Sequence, residues 1–311
     1  MTYLVPQKSS MQTTYNSSVY TVAYFNEIIS TDATDNAQTE WDDTTTFARD
    51  DYVKVTDLKR IYRCASDNST NQYPPANPTV WVDYGATNSY KLFDDIIGSQ
   101  TEFDTNMTIE ISANRMNMIA FLNMDNVSSI SITQTNLRSD TTFDRVIDLV
   151  DYGVLSLYDY WYKPLSYRRD LVIKDLQFLV DAKLTITFNA NGIGKVGAVV
   201  SGLADNLGLT LFGSKVKLKD YSNYTTDSYG NTSFRKRGCA RIITGQVIID
   251  TNLVDETITK VASRRGDLTL YVGDEREDGF GSLSTLGYIE TLELEPTPSK
   301  TKYPITIIGV I

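Results

Sequence analysis

Histidine is absent from all 311 residues. That removes the side chain that most often acts as a general base near neutral pH, the commonest zinc ligand, and every Ser/His or Cys/His couple. Cysteine is almost absent too. Cys64 and Cys239 are the only two, and their separation does not fit a CxxC site, so neither structural zinc nor a disulfide framework is expected. Two buried free thiols are the expected state, with a single long-range disulfide as the alternative. No window approaches the roughly 18 consecutive apolar residues that a bilayer span needs, so membrane insertion is not expected. The N-terminus, MTYLVPQKSS, lacks the basic and apolar regions of a secretory signal, so export by the general secretory route is not expected, and assembly inside a cell with release by lysis would fit. Positive charge is also scarce. There are 29 Lys and Arg against 39 Asp and Glu, a net charge of −10. That balance argues against a nucleic-acid partner, which needs clustered cations for its phosphates. The basic runs that exist, Arg168-Arg169 and Arg235-Lys236-Arg237, are short and read as solvated faces or subunit ion-pair sites.

What the chain does have is tyrosine, 20 of them, together with short alternating runs of Thr, Ile and Val separated by Asn, Asp, Ser and Gly. This is the signature of strands joined by turns. The expected fold class is mainly β: a small aromatic β module, an antiparallel jelly-roll-like sandwich, and a C-terminal β domain with one short helix. Residues 1–40 read as a loosely attached N-terminal arm with one strand or short helix over Tyr20–Ile29. Residues 41–85 form the aromatic module. Residues 86–211 supply the sandwich, with strands over Met107–Ile111, Met118–Leu122, Ser129–Thr133, Thr142–Leu149, Leu171–Ile173, Ala182–Phe188 and Val196–Ser201. Asp104-Thr105-Asn106 and Asp125-Asn126 read as turns, and Gly192-Ile193-Gly194 as a hairpin turn. Residues 212–311 are expected to carry assembly contacts around a helix running from Thr251-Asn252 to Arg265, with Leu253, Val254, Ile258 and Val261 at helical spacing.

The run Trp81-Val82-Asp83-Tyr84-Gly85-Ala86-Thr87-Asn88, followed by Leu92-Phe93-Asp94, resembles a signature of a family of bacteriophage tail- or collar-associated virion proteins often described as carbohydrate-binding. Tyr167–Val172, Val196–Gly202, Lys219–Ser222 and Asp227–Asn231 resemble the same family, so the likeness spans roughly residues 51–230. Ala86 stands where the family pattern has Pro. The resemblance implies a virion protein that attaches to other tail proteins and contacts host-surface glycan. It implies no cofactor.

Two aromatic groups are candidate sites. In the first, Trp41, Tyr52, Tyr62, Tyr73, Trp81 and Tyr84 offer rings on which the C–H face of a sugar could stack, with Asp83, Asn71 and Asn88 placed to bond its hydroxyls. The alternative is that these rings are the core of their own module. In the second, Tyr158-Asp159-Tyr160-Trp161-Tyr162-Lys163-Pro164 is read as a strand segment. Alternation then puts Tyr158, Tyr160 and Tyr162 on one side and Trp161 on the other. A subunit contact, internal packing and sugar binding all remain open for it, and Arg168 and Arg169 join it as interface candidates. The paired acids Asp42-Asp43, Asp50-Asp51 and Asp94-Asp95 do not suit a glycosidase, because strand neighbours point to opposite faces. Asp274–Gly279 has oxygen ligands for calcium but no EF-hand pattern, and no metal is expected. The expected function is a non-enzymatic structural subunit of a phage tail, collar or baseplate that assembles with itself and other tail proteins and anchors fibres. A glycan-binding adsorption module is the alternative.

Overall fold

A computed structural model describes residues 1–35, 37–67, 69–151, 156–163, 166–273, 281–295 and 297–310. The acidic loop Asp274–Gly279, together with Asn68 and Pro164, falls outside the described residues. Strands make up 56% of the chain and helices 10%, and nearly all strand pairs are antiparallel, so the fold is mainly β as the alternating sequence requires.

A ten-stranded sheet organises the molecule. Its order is Leu171–Ile173, Met118–Leu122, Ala198–Asn206, Thr2–Pro6, Thr269–Val272, Ser284–Leu292, Lys300–Gly309 and Cys239–Asp250, with Leu209–Thr210 and Lys215–Asp220 both pairing along the last strand. A five-stranded sheet, Thr142–Asp148, Asp125–Asn136, Ala182–Val196, Thr101–Ser112 and Ile28–Thr31, forms the opposing layer. Strict alternation in Ala182–Phe188 explains why. Leu184, Ile186 and Phe188 are fully buried while Lys183, Thr185 and Thr187 between them are only partly so. The buried set meets Ile119, Phe121, Val199 and Ile173 of the large sheet in one cluster, giving the two packed layers of a sandwich. Met118–Leu122 is buried at every position. Its even-numbered residues face a second cluster with Leu4, Val200, Leu270 and Leu286, as a strand covered on both faces must. The helix Val254–Ala262 covers a third cluster that includes Tyr271, Tyr303, Ile305 and Ile307. A Lys260–Asp205 ion pair of 2.8 Å also ties the helix to the large sheet.

Several expectations change. The N-terminal segment is not a loose arm. Thr2–Pro6 lies inside the large sheet, paired with Ala198–Asn206 on one side and Thr269–Val272 on the other. Lys8–Tyr15 and Ser18–Phe25 then form a hairpin whose tip packs into the aromatic module. Sequence alone could not place Thr2–Pro6, because both of its partner strands are distant in the chain. Asp104-Thr105-Asn106 is a bulge within Thr101–Ser112 rather than a turn, with Thr105 at φ 59°. Gly192–Gly194 is likewise no hairpin, since the strand Ala182–Val196 runs through it. Glycine is needed at 194 because a Cβ there would come within 2.5 Å of the Phe103 ring.

Asn26 fixes the hairpin to the large sheet. It is fully buried with φ 63°, a conformation Asn tolerates better than most residues. Its side-chain amide donates to the Val199 carbonyl at 2.8 Å and accepts from the Ser201 amide at 2.9 Å and the Ser201 hydroxyl at 2.5 Å. Asn26→Ala would strand these buried groups, each costing roughly 1–3 kcal/mol. Denaturant unfolding is expected to show a loss of about 3 kcal/mol or more with an unchanged slope; a loss below about 1 kcal/mol would contradict this role.

Candidate functional site

The aromatic module is a four-stranded sheet, ordered Trp81–Ala86, Arg60–Cys64, Tyr52–Val55 and Thr39–Glu40. One of its faces buries Phe47, Val53, Val55, Leu58, Tyr62, Tyr73 and Trp81 in a single cluster. Trp81 is 2% exposed. Its indole N–H donates to the Gln72 carbonyl at 2.9 Å, and its ring meets Phe47 edge-on at 5.5 Å. Tyr73 is buried beneath the N-terminal hairpin, stacked on Tyr15 at 4.4 Å and edge-on to Trp41 at 5.0 Å. Tyr62 is buried, and Trp41 is half-buried against the same cluster. A stacking platform needs an open ring face, and Trp81, Tyr62 and Tyr73 have none. The polar candidates are occupied as well. Asp83 pairs with Arg60 at 2.8 Å and accepts from the Gly85 amide. Asn88 donates to the Thr34 and Glu102 carbonyls and accepts from the Glu102 amide.

The run that carries the family resemblance is therefore a packing element. Leu92 and Phe93 are fully buried, and Asp94 is 3% exposed. Asp94 Oδ1 accepts from the Ile96 amide, while Oδ2 has no hydrogen-bond partner. Burial pushes this carboxyl up from 3.8 to about 7 against the lowering effect of the Ile96 amide. The folded state thus holds the Asp94 proton more tightly than the unfolded chain. Below about pH 4 both states are protonated and burial carries no ionisation penalty. Between about 4 and 7 the unfolded chain ionises first, and stability falls as pH rises. Asp94→Asn is expected to melt within about 1 °C of wild type at pH 4 and several degrees higher at pH 8. Equal melting shifts at both pH values, measured by calorimetry, would remove Asp94 as the source.

The exposed aromatics lie elsewhere. Tyr52 and Tyr84 meet edge-on at 5.0 Å on the open face of the small sheet. Leu157–Tyr162 is a one-and-a-half-turn helix, not a strand. The Ser156 hydroxyl caps it by accepting from the Asp159 amide at 3.1 Å, a local bond that overrides the alternation of the sequence. The helix displays rings on several sides. Trp161 is 70% exposed, Tyr158, Tyr160 and Tyr162 are similarly open, and Tyr158 sits over Tyr162 at 4.8 Å, one helical turn away. Arg168 and Arg169 nearby in sequence are exposed. Asp170, the next residue, turns inward. It accepts from the Asn123 amide and pairs with Arg241 at 3.4 Å.

The sequence reading missed a projecting ribbon. Cys239–Asp250 loses its Lys300–Gly309 neighbour beyond Ile242 but continues to pair with Lys215–Asp220 out to Cys239. Asn223–Thr226 and Thr232–Arg235 then extend the ladder to a tight turn held by Asp227, which accepts from the amides of Tyr229 and Asn231. From Lys219 to Thr226 the two strands are unaccompanied for eight residues, roughly 26 Å at about 3.3 Å per residue. Every residue of Asn223–Thr226 and Thr232–Arg235 is exposed. Phe234 is 80% and Tyr229 90% open. The available signal was an alternation, Lys215-Val216-Lys217-Leu218-Lys219, leading to an Asp-Ser-Tyr-Gly-Asn turn.

Cys239 lies on this ribbon and is exposed, which corrects the expectation of two buried thiols; Cys64 is buried and both are free. A thiol reagent should label one cysteine per native chain and two after unfolding. Two fast-reacting thiols in the native protein would contradict this placement.

An open groove of about 610 Å³ runs between the end of the helix Val254–Ala262 and the large sheet, lined by Val261, Arg264, Arg265, Asp267, Tyr271 and Glu290 among others. Among the described residues no cluster of three or more Asp, Glu or Cys side chains is arranged to hold a metal ion, and no helix is long and apolar enough to cross a membrane. No family model matches the chain, and no curated protein matches it significantly.

Proposed function

We propose that this chain is a non-enzymatic structural subunit of a bacteriophage particle, placed in the tail, collar or baseplate, where it assembles with its own copies and with other virion proteins. The observation that carries the assembly role is the pair of projections, the aromatic helix Leu157–Tyr162 and the ribbon Lys219–Ala240. A two-stranded ribbon standing alone is marginally stable in water, and tyrosine, tryptophan and phenylalanine at this exposure mark surfaces that a partner covers. The phage assignment rests on the resemblance over Trp81–Asp94. That motif supports the scaffold: its side chains hold the small module against the sandwich.

Immunogold labelling of particles purified from lysates of the cells that make the chain tests this reading. Label on tails or necks is expected, and label confined to the soluble fraction contradicts it. In the same particles, Trp161→Glu should reduce incorporation at least about tenfold while leaving the melting temperature of the free chain within about 1 °C, since it touches only a surface ring.

A second reading, glycan contact at a host surface, is favoured by Tyr52 and Tyr84, the ring pair that remains open on the small module. It moves the sugar site away from Trp81 and Tyr73. A glycan array on which wild type binds and Tyr84→Ala does not would support it; no binding by either chain would end it.

A further inference from the structure

The ribbon is basic on an acidic protein. Lys215, Lys217, Lys219, Arg235, Lys236 and Arg237 stand against Asp220 and Asp227 alone, a net charge of +4 over residues 212–238, so the remainder of the chain carries −14 of the total −10. Among the described residues none of the three lysines is in an ion pair. Lys219 Nζ lies 5.0 Å from the Tyr221 ring centroid. Lys215–Asp220 pairs with Cys239–Asp250 along one side, and no strand among the described residues pairs with its other side. It therefore offers six residues of unpaired backbone, with lysines on one face and Val216 and Leu218 on the other, every position exposed.

A free strand edge pairs with another free edge. Among the described residues, the other unpaired edges of the ten-, five- and four-stranded sheets are those of Leu209–Thr210, which is only two residues long, Leu171–Ile173, Ile28–Thr31, Trp81–Ala86, Thr39–Glu40 and Thr142–Asp148. Leu171–Ile173, Ile28–Thr31 and Thr39–Glu40 are too short for a six-residue partner, and Trp81–Ala86 is broken by a bulge between Asp83 and Gly85. Thr142–Asp148 is seven residues long and pairs in unbroken register with Asp125–Asn136 on its inner side alone. Its exposed positions are Thr142, Asp144, Val146 and Asp148. Asp144 makes no ion pair among the described residues, whereas Arg145 on the opposite face is held by Asp175 at 2.6 Å. No ladder joins this edge to Lys215–Asp220 within one chain.

We infer that the Lys215–Asp220 edge of one copy adds as an antiparallel strand to the Thr142–Asp148 edge of a second copy, with Lys219 opposite Asp144. Antiparallel pairing is the slightly more stable of the two orientations. It sets Lys215 opposite Asp148, Lys217 opposite Val146 and Lys219 opposite Asp144 on one face, and Val216 opposite Ile147 on the other. Opposite charges directly across a ladder stabilise it and like charges destabilise it. The lysines thus bar two ribbons from pairing with each other while admitting an acidic edge. Donor and acceptor are different surfaces of the same chain, so the contact is head-to-tail. It produces a closed ring if the rotation between copies closes and a filament if it does not. This deepens the assembly reading and rests on it only in requiring that copies of the chain associate.

The test is sedimentation velocity on the full chain at low and at moderate salt, up to about 100 µM. Wild type should associate beyond the monomer, and more weakly as salt rises. Lys219→Asp and Asp144→Lys should each weaken association at least about tenfold, and the double variant should recover to within a few-fold of wild type. Lys236→Asp lowers the general charge of the ribbon without facing Asp144, so Asp144→Lys should not rescue it. All of these side chains are exposed, and matching circular dichroism and melting curves confirm folding. Association that ignores the charge exchange but is abolished by Trp161→Glu overturns the inference and leaves the structural-subunit reading standing. Rescue of Lys236→Asp by Asp144→Lys overturns the register. A wild type that stays monomeric throughout overturns the inference outright, and the labelling of particles then decides the broader reading separately.

Discussion

The architecture depends on one five-residue strand. Thr2–Pro6 lies at the middle of the ten-stranded sheet and is, among the described residues, the sole ladder joining Ala198–Asn206 to Thr269–Val272. Without it the sheet divides into a half that belongs to the sandwich and a half formed by the last third of the chain. Tyr3 and Leu4 point to opposite faces, and each enters a different core cluster, so a single strand fastens two hydrophobic cores as well as two sheet halves. The Tyr3 hydroxyl bonds Asp205, which in turn pairs with Lys260 of the helix. The same N-terminal segment continues through Asn26 and the hairpin to the aromatic module, where the Tyr24 hydroxyl donates to the Leu58 carbonyl at 2.8 Å. The module is thereby held to the sandwich by buried, oriented bonds.

This continuity changes the meaning of the aromatic residues. On a free-standing module with little core, Trp81 and Tyr73 would have had room to face solvent. Once the hairpin closes over Tyr73 and Phe47 packs on Trp81, these rings become the interior that makes the module stable, and the ligand-like features of the sequence turn into packing. Of the rings left outside, Tyr52 and Tyr84 stay on the small module, and further open groups belong to two projecting elements, the capped helix Leu157–Tyr162 and the distal ribbon. The chain satisfies its core thoroughly in one region while leaving Phe234, Tyr229 and Trp161 open in others, and those open places are the ones to which the proposed assembly contacts are assigned.

Local patterns in the sequence were good guides to local structure. Alternation located Ala182–Phe188, Met118–Leu122 was expected as a strand and is one, and helical spacing of Val254 and Val261 located the helix against the large sheet. Two kinds of feature were not legible. The first is non-local pairing: nothing within Thr2–Pro6 states that its neighbours lie some 200 to 270 residues away. The second is the choice between equal local patterns. Tyr158–Tyr162 alternates like a strand, and only the Ser156 cap decides for a helix. Trp81 reads equally as a platform or a core residue, because one strand does not reveal which of its faces another segment will cover. The ribbon was legible in charge and turn chemistry, but its isolation from the sheet was not.

Hydrogen exchange, compared residue by residue between the free chain and the chain in its assembled form, tests the central claim most directly. A body fastened by Thr2–Pro6 and a ribbon dependent on a partner predict strong protection of the large sheet in both states, with amides from Lys219 to Ala240 exchanging quickly in the free chain and becoming protected on assembly. Equal protection of the ribbon in both states, or rapid exchange across Thr2–Pro6 in the free chain, would contradict the account.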